Sequence, residues 1–112
     1  MALLAVALFV PWLALAQSFN TLLWDYPASE TGEQGFIIER KAEACANLGA
    51  FGEVARVGAN VLTYVDKAVT IGQFYCYQVR AFNAGGVSNP SNVAGRLVPP
   101  PVPVDPANLR IQ

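Results

Sequence analysis

The sequence predicts an all-β, antiparallel sandwich, and three observations carry that prediction. Short runs rich in aliphatic and aromatic residues alternate with Gly, Asn, Pro and Asp along residues 20–98. One run, FYCYQVRAFN at residues 74–83, alternates with a period of two. No segment sustains a period of 3.6 between helix caps. Several short strands with turn signals at this spacing build a sandwich or a barrel.

The chain divides into a leader at 1–16, a domain at 17–98 and a tail at 99–112. The leader, MALLAVALFVPWLALA, is apolar and uncharged, and it holds much of the 54% hydrophobic content. It ends in Ala14-Leu15-Ala16, the small-x-small form that signal peptidase accepts. It is read as a signal peptide cleaved after Ala16, which makes the chain secreted, extracellular or periplasmic. A spanning helix needs about 20 apolar residues, and Pro11 interrupts this shorter run. An uncleaved leader acting as an N-terminal anchor is therefore the one route to a membrane.

Six runs follow. Thr21–Trp24 is the first, and Leu22 and Trp24 share a face. After the turn-rich PASETGEQG comes Phe36–Lys41, where Phe36 and Ile38 face the core while Ile37, Glu39 and Lys41 face out. Residues 42–50 have room for no more than a helical turn. Phe51–Val57 is the third run. Val61–Asp66 is the fourth, with Leu62 and Tyr64 on one face. Strand side chains alternate, so in Phe74–Asn83 the residues Tyr75, Tyr77, Val79 and Ala81 point one way. Cys76, Gln78, Arg80 and Phe82 point the other. The first set is the core, because the second holds an Arg and a Gln. Val93–Val98 completes the set. The tail opens with PPPVPVD, an extended and semi-rigid spacer, and ends in Pro106–Gln112.

Charge and composition exclude several functions. The net charge is −1 and there is no His. Lys and Arg are scattered, so no basic face exists for nucleic acid or an anionic bilayer. The absence of His removes the commonest general base and metal ligand together. Ser18, Ser29, Ser88 and Ser91 consequently lack a base. Glu30, Glu33, Glu39 and Glu43 read as solvated surface, and Asp25, Asp66 and Asp105 are too dispersed for a calcium cage. Gly85-Gly86 reads as a hairpin turn. No catalytic residue, metal ligand or cofactor site is expected, and the chain is not expected to be an enzyme. Asn89-Pro90-Ser91 is no glycosylation acceptor, because of its proline.

The order of motifs resembles the fibronectin type III family, a group of immunoglobulin-like sandwiches, over residues 20 to 98. Leu22-Leu23-Trp24 is similar to the Leu-x-Trp of strand B, and Phe36-Ile37-Ile38-Glu39 to the pattern of strand C. Val69, Gly72, Tyr75, Tyr77, Val79 and Ala81 match the block leading through strand F, with Tyr75 as the tyrosine corner. Asn83–Ser88 resembles the hairpin before strand G. The resemblance, to a bacterial-type single module with a signal peptide, implies a non-catalytic spacer or protein-interaction domain. It also sets Cys45, after strand C, beside Cys76, at the start of strand F. An even cysteine count after an export signal reads as a disulfide.

Strand A is missing at the N-terminus, yet Pro106-Ala107-Asn108-Leu109-Arg110-Ile111 looks like one. Three readings stay open: a fragment of a tandem array, a tail that fills its own vacant edge, or a tail donated to a neighbour. The surfaces offered to a protein or polysaccharide partner are the loops, the sheet edge and an outward apolar patch of Ile37 and Phe82 near the B–C and F–G loops. An accessory, carbohydrate-binding role beside a secreted enzyme is a further alternative.

Overall fold

The computed structural model describes residues 18–30 and 32–112, so the leader lies outside it. Seven strands follow in order: β1 (Asn20–Leu23), β2 (Gly35–Lys41), β3 (Gly52–Gly58), β4 (Thr63–Asp66), β5 (Phe74–Asn83), β6 (Gly86–Val87) and β7 (Ala94–Leu97). β1 pairs with β4 alone. The second sheet runs β3-β2-β5, and β5 also pairs with β6 and β7. All pairings are antiparallel. Among the described residues there is no helix. Residues 42–50 make a turn, closed where Asn47 N donates to Ala44 O at 3.0 Å.

The strands lie where the alternation puts them because period-two patterning has only one way to bury its apolar half. Phe36, Ile38, Tyr75, Tyr77, Val79 and Val98 form the buried core, with Leu22, Trp24, Tyr64, Val69 and Ala81 packed around it. Trp24 and Tyr26 meet the Phe36 ring edge-on at 5.6 and 5.1 Å. Each large side chain fully buried here contributes about 1.5–3 kcal/mol.

β6 and β7 are one last strand broken at Pro90, which has no N–H to offer a ladder. Two serines fill the gap. Val79 N donates to Ser91 Oγ and Ala81 N to Ser88 Oγ, both at 2.9 Å, so β5 keeps its partners across the break.

The outer face of the larger sheet corrects the sequence reading. Ile37 is only 4% exposed, and Cys76 and Gln78 are also buried. Register explains this. Ile37 lies opposite Arg56 on β3 and Arg80 on β5, and direct partners share a face. Long arginine stems flank Ile37 and cover it. Phe82 is half-buried, with the Arg56 guanidinium 4.9 Å over its ring. It lies opposite Gly35, diagonal to Ile37. Ile37 and Phe82 therefore form no sticky patch. Leu62 is likewise outside the core at 37% exposure. It lies one residue before β4, at the end of the turn that leads into it.

The tail forms no strand. From Val102 onward every residue is exposed. Within a single chain, then, the tail does not fill the vacant edge.

Candidate functional site

The open edge of β1 is the most distinctive surface of the domain. Trp24 N donates to Leu62 O at 3.1 Å. In an antiparallel pair, successive residues direct their backbone groups alternately toward and away from the partner. Asn20, Leu22 and Trp24 therefore face β4. The amides and carbonyls of Thr21 and Leu23 face outward, with no strand beside them among the described residues. Leu23 is 79% exposed. Between this edge and the last strand lies a groove of about 500 Å³, walled by residues such as Leu23, Trp24, Tyr77, Val79, Ala94 and Arg96. Asn20 and Trp24 line it, and their buried Oδ1 and Nε1 atoms have no hydrogen-bond partner in this structure.

A polar seam joins the two sheets at one end of the groove. Asn20 Nδ2 donates to Tyr77 Oη at 2.9 Å, and Tyr77 Oη donates to Asp66 Oδ2 at 2.7 Å. Arg40 donates to the same Oδ2 at 2.8 Å and to Ala68 O at 3.0 Å. Its guanidinium stands 4.9 Å over the Tyr75 ring. Asp66 is 2% exposed, and Ala68 N donates to its other oxygen at 3.1 Å. A buried carboxylate survives only with such partners. Burial is the largest influence on the Tyr77 phenol and holds it above its ordinary pKa. The Asn20 donation opposes that shift and the Asp66 carboxylate adds to it.

Sequence reasoning gave Asn20 and Arg40 no role and weighed Asp66 only as a calcium ligand. The signal was present in the alternation already in use. Position 20 shares a face with 22 and 24, position 40 with 36 and 38, and position 66 with 62 and 64. All three are inward positions carrying polar residues, and the fold brings them to one end of the sandwich beside Tyr77.

Tyr75 takes part at a corner. Its Oη accepts from Thr70 N at 2.9 Å, five residues upstream. Cys45 and Cys76 form a disulfide with an S–S distance of 2.00 Å. It lies against Gly95, where a Cβ would stand 2.9 Å from Cys45 Sγ and 2.7 Å from the Phe74 ring. Lys41 closes the same end. It is buried, donates to Cys45 O at 3.2 Å and to Asn47 O at 2.5 Å, and sits 5.0 Å over the Phe51 ring.

No protein-family model matches the chain. Solved structures do. The sandwich is similar to a fibronectin type III domain of human fibronectin type III domain containing protein 3, at a TM-score of 0.59 and 25% identity over 74% of each chain. The chain has the fibronectin type III fold. The sixth such domain of that human protein is also similar, at 0.60 and 18% identity over 81% of each chain. The twitchin kinase region of C. elegans, named with an Fn31 segment, matches at 0.61 and 22% identity over 74% of this chain and 14% of that one. In fibronectin type III terms β1 is strand B, β4 is E, β2 and β5 are C and F, and β6 with β7 is G. The edge of β1 left open among the described residues is the place of strand A. Such domains commonly serve as structural or interaction modules.

Proposed function

We propose that this protein is a non-catalytic, exported fibronectin type III module that serves as a structural spacer or protein-interaction unit. The observation that carries this reading is that the well-placed charged side chains hold strands together. Arg40 pairs with Asp66, and Arg80 with Glu39, each at 2.8 Å between sheets or strands. Arg56 pairs with Glu53 at 2.8 Å within β3. A proton-transfer group needs access to a substrate, and Arg40 and Asp66 are engaged in the seam. The leader and the disulfide support an oxidising compartment.

The reading is tested by producing the chain with its leader in a secreting host and weighing the product. The expected mass is that of a chain starting at Gln17 and two hydrogens lighter than its reduced form. A retained leader with two free thiols contradicts it. Retardation of the purified chain in polysaccharide-containing gels would move the function to carbohydrate binding.

A further inference from the structure

We propose that the groove beside β1 is a strand-acceptor site, filled by residues 106–111 of a second copy of this chain. The inference deepens the interaction-module reading and rests on it.

Three features of the acceptor point to a strand as its occupant. Thr21 and Leu23 present backbone donors and acceptors that no described strand uses. The groove wall is apolar at Leu23, Trp24 and Val79, the usual complement of alternate side chains on an added strand. Two of its lining residues, Asn20 and Trp24, also carry buried polar atoms without partners, Oδ1 and Nε1. Buried groups of this kind are destabilising until something pairs with them.

The donor is on the same chain. Leu109 and Ile111 are both 97% exposed, and as i and i+2 they share one face of any strand. Among the described residues, the tail's side-chain hydrogen bond is internal, from Arg110 to Asn108 O. Asn108 stands at φ 57, which interrupts extended backbone in the free tail. Extending that residue would convert 106–111 into a strand with Ala107, Leu109 and Ile111 on one side.

The path of the tail favours a second copy over self-closure. The tail leaves the sandwich at the Asn20 end of β1, where Arg96 donates to Phe19 O at 3.1 Å and Val98 N to Gln73 O at 3.0 Å. A strand adding antiparallel to β1 must enter at the opposite end, beside Leu23. The tail would have to run the length of the groove and reverse. Instead it begins Pro99-Pro100-Pro101, which is stiff and extended. Residues 99–105 span about 22 Å in that form, at roughly 3.1 Å per residue. That length carries 106–111 clear of its own domain. The contact is head-to-tail, so it builds open chains and does not close into a symmetric dimer.

Two variants and their mixture test this. Leu109→Asp with Ile111→Asp spoils the donor at positions that touch nothing in the single chain. Thr21→Pro spoils the acceptor by removing an N–H that faces away from β4. In sedimentation velocity the unaltered chain should grow heavier with concentration, while each variant stays monomeric. Mixed one to one, the variants should form a heterodimer and nothing longer, because one retains a working groove and the other a working tail. A monomeric unaltered chain at high concentration overturns the proposal, as does a variant that still assembles or a mixture that stays monomeric. The last two results would assign the groove to another segment or the association to non-specific apolar contact. A chain that is monomeric yet processed and oxidised removes this inference alone and leaves the module reading standing.

Discussion

Tyr77 sits where the apolar core meets the polar seam, and its hydroxyl is the hub. It accepts from Asn20 on the thin sheet and donates to Asp66, which is also held by Arg40 of the larger sheet. Tyr77→Phe deletes this hub without changing the ring's volume. It leaves Asn20 Nδ2 unpaired and Asp66 with one partner fewer, and should destabilise the fold by about 1–3 kcal/mol in chemical denaturation. The same substitution has a pH signature. Burial raises the folded-state pKa of this phenol. Its protonated form is therefore favoured by folding, and that stability is fully present below the unfolded value of about 10. It is lost as pH rises beyond that value. Melting curves from pH 8 to 11 should show a steeper fall for the unaltered protein than for the Tyr77→Phe form. Equal slopes would remove the phenol from the seam.

Glu39 gives the acidic counterpart. Burial opposes its ionisation, but hydrogen bonds from Arg80 and Gln78 prevail and hold its carboxyl below the usual range. A lowered folded-state pKa contributes stability above the unfolded value of about 4.3, which is lost as pH falls below it. Replacing Glu39 with Gln should flatten the acid limb of the stability profile between about pH 5 and 3.

At the scale of elements, the disulfide ties the loop after β2 to the start of β5 across 31 residues. In the chain-entropy account its removal by Cys45→Ala with Cys76→Ala costs about 2–4 kcal/mol. For a domain of this size that lowers the melting temperature by about 10–20 °C, and reduction of the unaltered protein should match it. No change on reduction would separate the two sulfurs.

The elements themselves were legible in the sequence because each strand carries its own instruction. Tyr75, Tyr77 and Val79 alternate with polar or small neighbours, and on β2 Phe36 and Ile38 share the face opposite the charged Glu39 and Lys41. Alternation reports the inner face well and the outer face poorly. Ile37 looked exposed because its neighbours Glu39 and Lys41 are charged. It is buried because Arg56 and Arg80 lie opposite it, a fact of register that no single strand encodes. Lys41 is buried by a loop folding over it, which depends on the disulfide and on two carbonyls beyond it. The seam escaped notice for a different reason. Asn20, Arg40 and Asp66 are polar and far apart in sequence, and their conjunction exists only once both sheets are stacked.

On the scale of the whole molecule, a thin sheet of two strands packs on a sheet of five. An isolated two-stranded ribbon is marginal in water, so β1 and β4 depend on the larger sheet beneath them. The polar seam, the Trp24–Phe36 contact and the packing of Leu22 and Tyr64 on the core bind the layers, and the sandwich should unfold as one cooperative unit. Among the described residues, the same thinness leaves β1 as an uncovered edge. Natural sheets blunt such edges with charge, proline or a covering element. Here the described residues of β1 are Asn20, Thr21, Leu22 and Leu23, and none of these devices is among them.

Amide hydrogen exchange in a dilute, isotope-labelled sample tests the architecture most directly. With β1 paired on one side only, the amides of Leu22 and Trp24 should exchange slowly and those of Thr21 and Leu23 quickly. Protection of Thr21 and Leu23 equal to that of Leu22 and Trp24 in the dilute monomer would mean that a strand already occupies the edge, and would contradict the account.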